Sequence, residues 1–336
     1  MKVVMLTGSY PPDRCGVGDY TFRLVNALRD KGVNIYVIKK GGWHLDWTTF
    51  LLDIKKINPD IIHIQYPTIG FGWSLAPQLV SLLMPCVVTL HEVSQVHILR
   101  KLSLFFFTIR GRYFIFTSEF ERQYAISKAP WISRKSSVIP IGSNIPVSSE
   151  EKLKNSNEIV YFGLFRPKRG IENVLALADY IKQRGMNLSV HMIGQPQLGQ
   201  ENYFQDLQRR AENLPVKWSV ALSDYEVANL LAKSKVAYIP YPDGASERRT
   251  SLLALLANGV VPITTKGKYT SPELENVVLY AKTPEEALEV AIRLIQDNLL
   301  YSQLAEAGRN YAQKFTWESI AVKHLDIYTK LVKNNN

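Results

Sequence analysis

The chain has 336 residues, of which 46% are hydrophobic and 21% are charged. A chain of this length is too long for one ordinary hydrophobic core, which predicts two domains of about 150 residues each. The composition excludes a disordered chain. The longest strongly apolar run, LSLFFFTI at 102–109, is too short to span a bilayer. The opening MKVVMLTGSYPP favours a strand and a loop over a signal peptide.

The net charge of +10 is unevenly distributed. Residues 94–135 hold eight Lys or Arg against Glu119 and Glu121, so this stretch alone carries +6. The basic residues bracket LSLFFF rather than a nucleic-acid motif, so we expect no nucleic-acid partner. Two interpretations stay open: a solvated helix whose phenylalanines face the core, or contact of residues 94–112 with an anionic membrane surface.

The two cysteines, Cys15 and Cys86, lie in glycine-rich or apolar surroundings. One disulfide is conceivable, but two free thiols in a reducing compartment fit so low a cysteine content better. We therefore expect a cytoplasmic protein, with peripheral attachment to the inner face of the plasma membrane if residues 94–112 bind lipid.

Short apolar strand patterns alternate with helical patterns from the first residue. Residues 2–8 predict a buried strand, and Tyr20, Leu24 and Leu28 mark one face of a helix that stops at Gly32. Further strands are predicted at 34–40, 61–67, 86–92 and 113–118, with helices at 73–83 and 96–108. Such alternation predicts parallel strands with helices on both faces of the sheet.

A polar stretch without periodicity, SNIPVSSEEKLKNSNE, interrupts the pattern. It predicts a first domain over 1–145, a linker at about 146–156 and a second domain over 157–316. In the second domain, strands are predicted at 159–163, 188–194, 216–222, 236–241 and 260–265, and helices at 170–184, 201–213, 224–234, 247–258, 284–296 and 300–314.

The last segment, residues 317–333, is an amphipathic helix that no strand follows, and we expect it to pack on the first domain. The fold class is therefore α/β, with two doubly wound, Rossmann-like domains. We expect these domains to face a cleft at the carboxyl ends of their strands, because open α/β sheets bind ligands at that edge.

A glycine loop follows the first strand and opens the first helix. Gly16 and Gly18 begin a Gly-x-Gly, but Thr21 occupies the place of the third glycine of a dinucleotide fingerprint. The signal for NAD is therefore weak. The exposed N–H groups of such a loop can still bind phosphate or a sugar hydroxyl, and a simple flexible turn is the alternative.

His91 ends the stretch TLHE at the carboxyl edge of a predicted strand. Its position alone is compatible with a structural or a functional histidine. His63, His97, His191 and His324 show no metal-ligand spacing, and the sequence contains no Asp-x-Asp and no Cys/His cluster. We therefore expect no metal and no cofactor.

A basic loop opens the second domain between a strand that ends near Gly163 and a helix that begins after Gly170. Its cations, Arg166, Lys168 and Arg169, are placed where a strand-to-helix loop meets a ligand. Arginine binds phosphate oxygens in bidentate fashion, so the loop predicts a phosphate site. A solvated turn is the alternative.

A second basic pair lies in DGASERRTSLLALLANG, residues 243–259. Arg248 and Arg249 precede an apolar helix, although a helix N-terminus disfavours cations. A bound anion with two phosphates would satisfy both basic clusters. Pairing of the arginines with Asp243, Glu247 or water is the alternative.

Together these features resemble the GT-B glycosyltransferases of family 4, a retaining group that uses nucleotide-sugar donors. The resemblance covers nearly the whole chain and lies in the order of several stretches: the glycine loop, TLHE, SSVIPIGSNIP, YFGLFRPKRGIENVL, LSDYEVANLLAKSKVAYIPY and SLLALLANGVVPITT. It implies that Arg169 and Arg166 bind the donor diphosphate and that His91 contacts the donor sugar.

The chain departs from this family at one motif. The family usually carries two glutamates, separated by seven residues, at positions that correspond to Ser246 and Ala254. Glu247 stands one residue out of register, and no second glutamate follows. We interpret Arg248 and Arg249, with Thr250 and Ser251, as a substitute phosphate site next to Ser246 and Glu247.

The resemblance implies transfer of a sugar from a nucleotide diphosphate to a hydroxyl acceptor, a polysaccharide or lipid-linked glycan precursor, with retention of configuration. The leaving phosphate would accept the proton, and arginines would stabilise its charge. The missing glutamates keep open a second reading, a catalytically weak nucleotide-sugar-binding or assembly subunit. An NAD-dependent oxidoreductase is a third reading, which the broken glycine pattern disfavours.

Overall fold

The structure is a computed structural model that describes residues 1–13, 15–39, 47–94, 96–148 and 154–333, without the side chains of 47–50 and 156. The chain divides into two compact units. The first comprises Met1–Gly142 and Thr316–Asn336, and the second comprises Ser143–Phe315.

The described part of the first unit contains one sheet of six parallel strands in the order β2-β1-β3-β4-β5-β6. The strands are β1 (Lys2–Thr7), β2 (Asn34–Lys39), β3 (Ile61–Tyr66), β4 (Val87–Leu90), β5 (Tyr113–Phe116) and β6 (Ser136–Val138). The helices between them are α1 (Gly16–Asp30), α2 (Trp47–Ile57), α3 (Ala76–Leu83), α4 (Ile98–Arg110) and α5 (Glu119–Lys128).

The second unit repeats this plan. Its described residues form a six-stranded parallel sheet in the order β12-β11-β10-β7-β8-β9. The elements are β7 (Asn155–Phe165), α6 (Ile171–Gln183), β8 (Ser189–Pro196), α7 (Glu201–Ala211), β9 (Val216–Val220), α8 (Asp224–Ala232), β10 (Ser234–Ile239), α9 (Thr250–Ala257), β11 (Val261–Thr264), β12 (Leu279–Tyr280), α10 (Pro284–Gln296) and α11 (Asn298–Ala312).

The central strands are apolar on both faces because helices cover both sides of each sheet. In the first unit, all four residues of β4 are buried, as are all six of β3. The final helix, α12 (Trp317–Lys333), packs against α1, with Ile320 and Tyr328 fully buried. The predicted α/β class with two Rossmann-like sheets is confirmed, and so is the return of the last helix to the first unit.

The structure places some boundaries differently from the sequence. Strand β7 begins at Asn155, within the predicted linker at 146–156, because Asn155 pairs with Ser234 of β10. Residues 149–153 of that stretch lie outside the described residues. The predicted helix over 247–258 begins only at Thr250, because Arg249 has extended backbone geometry.

The structure bears on the expected free thiols and on the expected absence of a membrane-spanning segment. Cys15 and Cys86 are both free and buried. No helix in the described ranges combines the length and the apolar character that crossing a membrane requires.

Candidate functional site

The strand order of the second sheet reverses between β7 and β10. Strands β8 and β9 extend from one side of β7, whereas β10, β11 and β12 lie on its other side. In an open parallel sheet, the carboxyl ends of the two strands at such a reversal leave a crevice in which ligands bind.

A cavity of about 330 Å3 occupies this position. One part of its lining is cationic or hydroxylated, and comprises Arg169, Arg248, Arg249, Thr250 and Ser251. The rest combines apolar and neutral groups with one carboxylate, and comprises Asn144, Ile145, Tyr161, Phe162, Gly163, Leu164, Gly194, Gln195, Leu222, Asp224, Val227 and Tyr241. Arg169 and Arg249 lie close enough to interact, so with Arg248 they form a cationic end of the cavity, and the whole lining belongs to the second unit.

Two glycines shape this edge of the sheet. Gly170 has a φ of 73°, and a Cβ there would overlap the carbonyl oxygen of Pro240 at the end of β10. Gly194 has a φ of 157°, and a Cβ there would overlap the carbonyl oxygen of Gly163. Glycine thus lets the basic loop pack against β10 and leaves backbone exposed in the floor of the cavity.

Arg169 is the cation of the basic loop that lines the cavity. The Nε atoms of Arg169 and Arg166 are both buried, and neither has a hydrogen-bond partner. Burial lowers the pKa of Arg169, and the neighbouring guanidinium groups of Arg166 and Arg249 lower it further. Because arginine stays protonated in proteins, the result is a concentration of positive charge with unused donors. Lys168 is exposed.

Arg249 is the N-cap residue of α9, and no side chain caps this helix. Its guanidinium pairs with the carboxylate of Asp243, which is half exposed. The N-terminal N–H groups of α9 and the side chains of Arg248, Thr250 and Ser251 therefore meet at the cationic end of the cavity. An anion fits this end, because the helix N-terminus and the guanidinium groups both favour negative charge.

Two residues that we grouped with the donor site lie elsewhere. The carboxylate of Glu247 accepts a hydrogen bond of 2.7 Å from the hydroxyl of Tyr311 on α11 and another from Ser271. Ser246 is buried, and its carbonyl accepts the N–H of Arg249. Neither residue lines the cavity. Glu247 instead connects its loop to α11, and Ala254, the place of the missing second glutamate, is buried in α9.

Several residues of the lining were not predicted from the sequence. Tyr241 shares a hydrogen bond of 2.7 Å with Ser251, and Gln195 and Asp224 add polar groups to the lining. Tyr241 lies two residues beyond the end of β10, and Asp224 begins a helix with a capping box. Because Tyr241 ends a predicted strand and Asp224 follows another, their positions in the sequence could have identified them as site candidates.

In the first unit, the predicted glycines lie at the start of α1. Gly16 opens the helix, and nothing would oppose a Cβ there. Gly18 lies close to the carbonyl of Ser9, where a Cβ would be only 3.1 Å from the oxygen. Their proposed contact with phosphate or sugar stays a prediction.

His91 directly follows β4 and is almost fully buried. Its Nε2 donates a hydrogen bond of 2.9 Å to the side-chain oxygen of Gln65, and its ring meets Tyr20 edge to face. Burial, together with the nearby His324, lowers the pKa of His91 to about 3. The imidazole is therefore neutral, with the proton on Nε2, and its contact with a sugar stays a prediction.

Helix α4 covers most of the basic stretch 94–112, in which Gln95 lies outside the described residues. The structure divides its phenylalanines: Phe107 is fully buried, whereas Phe105 and Phe106 are exposed by 54% and 41%. The interpretation of a solvated helix whose phenylalanines face the core therefore holds for Phe107 and not for Phe105 and Phe106. The other exposed apolar side chains of α4 are Ile98, Leu99, Leu102 and Ile109.

No group of three or more His, Cys, Asp or Glu side chains in the described ranges could hold a metal ion.

One family model matches most of the second unit. Residues 146–311, just under half of the chain, match the family model of glycosyl transferases group 1. No curated protein matches the chain significantly.

Solved glycosyltransferase structures share the fold over nearly the whole chain. A glycosyltransferase from Rickettsia africae is 14% identical with a TM-score of 0.73, and covers 99% of each chain. Anabaena Alr3699/HepE, solved with UDP and glucose, is 15% identical with a TM-score of 0.69, over 98% of this chain and 100% of that one. WaaG, a glycosyltransferase involved in lipopolysaccharide biosynthesis, is 16% identical with a TM-score of 0.61, over 97% and 99%.

The second unit, which contains the cationic cavity, therefore matches the family model of glycosyl transferases group 1 over residues 146–311, and the chain has the GT-B fold of the solved glycosyltransferases.

Proposed function

We propose that this protein transfers a hexosyl group from a nucleotide diphosphate sugar to a hydroxyl acceptor. The observation that carries the proposal is the buried, unpartnered Nε of Arg169 beside a cavity that also receives Arg248, Arg249 and the N-terminus of α9. Solved neighbours with UDP or UDP-glucose bound support a nucleotide sugar as the ligand.

The diphosphate would occupy the cationic end of the cavity, and the nucleoside would lie towards Phe162, Leu222 and Val227. This orientation follows from chemistry, because phosphate oxygens need the guanidinium donors and a nucleobase is best placed against apolar side chains. The ribose would meet Asn144, Gln195 or Asp224 in place of the missing glutamate.

The reaction proposed is substitution with retention. The acceptor oxygen bonds to the anomeric carbon on the face from which the diphosphate departs. The carbon–oxygen bond to the diphosphate breaks, and the acceptor proton passes to a diphosphate oxygen. The arginines stabilise the charge that develops on the leaving group, which is the role that preorganised donors fill in other enzymes. No metal ion is required in this scheme.

The acceptor is proposed to be a polysaccharide or a lipid-linked glycan precursor, reached from a membrane surface through α4. Its exposed apolar side chains lie among Arg100, Lys101 and Arg110. We propose that this helix binds anionic lipid peripherally, on the cytoplasmic face of a membrane.

The test is to incubate the protein with a panel of nucleotide sugars and to measure the release of nucleoside diphosphate, with and without excess EDTA. We expect release from one class of donor, unchanged by EDTA, and its loss in Arg169→Gln. Release that stops in EDTA and returns only with added metal contradicts the metal-independent scheme. Tight binding of a nucleotide sugar without any turnover favours the second candidate, a binding or assembly subunit.

A further inference from the structure

Helix α4 contributes few side chains to the core of the first unit. Only Ser103, Leu104 and Phe107 of this helix are buried. Leu99 and Leu102 are exposed by 61% and 64%, respectively. An exposed apolar patch of this kind on one helix indicates a surface that binds a partner or a ligand.

An apolar cavity of about 580 Å3 opens beside these side chains, between α3, the loop after β3 and α4. Its lining is largely hydrocarbon and aromatic, and includes Trp73, Leu75, Leu79, Leu99, Leu102 and Phe106. This volume falls within the range of pockets that enclose small-molecule ligands. The cavity therefore offers a binding site for a flexible hydrocarbon chain, rather than only a flat surface.

Arg100 is the cation in this lining. Its guanidinium donates to the carbonyl of Gly72 and lies 5.4 Å from the ring of Trp73 and 5.9 Å from that of Tyr66. Among the residues that the structure describes, no carboxylate pairs with Arg100. Its positive charge is therefore held in position by neutral groups and stays available to an anion.

The same arrangement recurs along α4. Lys101 donates to the hydroxyl of Tyr124 at 3.0 Å, and Arg110 donates to the carbonyl of Leu82 at 3.0 Å. Neutral acceptors orient these cations without neutralising them. The charge of α4 is thus complementary to an anionic amphiphile and not to another basic surface.

The cavity also adjoins the edge of the sheet that carries His91. Tyr66, the last residue of β3, lines the cavity, and its carbonyl accepts the backbone N–H of His91 at 2.9 Å. A head group next to Arg100 therefore lies at the carboxyl edge of the first sheet, on the side of the strands where ligands of such sheets bind.

We propose that this cavity binds the hydrocarbon chain of a lipid phosphate, with the phosphate at Arg100, and that the acceptor is therefore lipid-linked. The inference rests on the proposed glycosyl transfer and specifies its acceptor. An apolar chain explains the lining, an anionic head explains the uncompensated arginine, and the exposed face of α4 supplies the approach from a membrane.

The test is calorimetric titration of the full chain with dodecyl phosphate, below its critical micelle concentration and without vesicles or nucleotide. We expect one site per chain. Dodecanol should bind about ten- to a hundredfold more weakly, because it lacks the charged partner of Arg100. Each methylene removed from the alkyl phosphate should weaken binding by about fourfold. In Arg100→Gln, the preference for the phosphate over the alcohol should disappear.

A matched pair on α4 separates the cavity from the general surface. Leu99 lines the cavity and Ile109 does not, although both are exposed leucine-sized side chains, by 61% and 53%. Leu99→Gln should weaken dodecyl phosphate binding at least fivefold, and Ile109→Gln should leave it within twofold.

Binding to vesicles but not to monomeric dodecyl phosphate overturns the proposal, as does cooperative uptake of many molecules per chain. A dimer that Leu99→Gln dissociates, with no amphiphile binding, also overturns it in favour of a second copy of the chain. Release of nucleoside diphosphate from nucleotide sugars tests the proposed function separately. Its absence, with intact dodecyl phosphate binding, contradicts the transfer reaction and leaves the cavity assignment standing.

Discussion

The guanidinium of Arg249 lies over the ring of Tyr241, 4.8 Å from the ring centroid. The hydroxyl of the same tyrosine shares a hydrogen bond with Ser251, and Arg249 also pairs with Asp243. Aromatic stacking and an ion pair thus hold the arginine at the start of α9 before any ligand binds. Asp243 is the one of these partners that an anionic ligand repels.

Removing that carboxylate should therefore strengthen the site. In Asp243→Asn, we expect nucleoside diphosphates to bind about two- to fivefold more tightly, because a half-exposed negative charge beside Arg249 is lost. Isothermal titration measures the change, and Asp206→Asn on α7 is the control for loss of a surface carboxylate. Weaker binding in Asp243→Asn would mean that the carboxylate mainly positions the arginine.

Glu247 should behave as a structural residue. Because Tyr311 and Ser271 hold its carboxylate outside the cavity, Glu247→Gln should lower the free energy of unfolding by about 1–3 kcal/mol. Nucleoside diphosphate affinity should stay within twofold of the parent. Denaturant unfolding and titration of the same preparation check both statements. A large loss of affinity at unchanged stability would restore Glu247 to the donor site.

The buried histidines should make the stability of the protein depend on pH. Burial lowers the pKa of His91 to about 3 and that of His324 to about 4, whereas an unfolded histidine titrates near about 6.5. The unfolded chain therefore binds more protons than the native one below that pH. The contribution of these histidines to the free energy of unfolding is fully present above about pH 6.5. It decreases as the pH falls, and at pH 5 each histidine has lowered the free energy of unfolding by about 2 kcal/mol.

The measurement is denaturant unfolding at pH 7 and pH 5. In His324→Phe, which removes one of these groups, the decrease between the two pH values should be smaller by about 2 kcal/mol. His97→Gln is the control, since His97 is exposed. An equal decrease in His324→Phe and the parent would show that other groups set the pH dependence.

Attachment to membranes should be electrostatic and reversible. The cations of α4 bond to neutral acceptors, so each should add about 1 kcal/mol of binding to an anionic bilayer. Lys101→Gln or Arg110→Gln should therefore weaken binding about fivefold. Sedimentation with vesicles of anionic lipid measures this, and about 0.5 M salt should release the protein.

Two comparisons test whether membrane binding is electrostatic and depends on the cations of α4. Vesicles of neutral lipid should bind the protein much more weakly than anionic vesicles. Lys217→Gln, which removes an exposed cation of the second unit, should not change the binding. Equal affinity for neutral and anionic vesicles would contradict an electrostatic mode.

The sequence predicted the alternating strands well because each strand of these sheets is apolar over most of its length. Short or polar elements were not predicted, because β12 has only two residues and α5 (EFERQYAISK) lacks a clear apolar face. The start of α9 was misplaced because Arg248 and Arg249 look like the first helical turn, whereas Arg248 lies in a turn and Arg249 is extended. Local pattern carries no information about this cap geometry.

The candidate site was predicted in part. Arg169, Arg248 and Arg249 could be placed together because each follows a strand of one parallel sheet, and the carboxyl ends of such strands share an edge. The bond between Glu247 and Tyr311 joins residues 64 positions apart, and no local rule predicts it. The outward direction of Leu99 and Leu102 likewise depends on which face of α4 the sheet covers.

The most direct test of the account compares Arg169→Gln with Lys168→Gln, two neighbours of equal charge of which only Arg169 lines the cavity. Affinities for a panel of nucleoside diphosphates and for the corresponding nucleosides are measured by titration. We predict that Arg169→Gln weakens diphosphate binding about ten- to a hundredfold and leaves nucleoside binding unchanged, while Lys168→Gln changes neither by more than about threefold. Full diphosphate affinity in Arg169→Gln, or an equal loss for diphosphate and nucleoside, would contradict a phosphate site in this cavity.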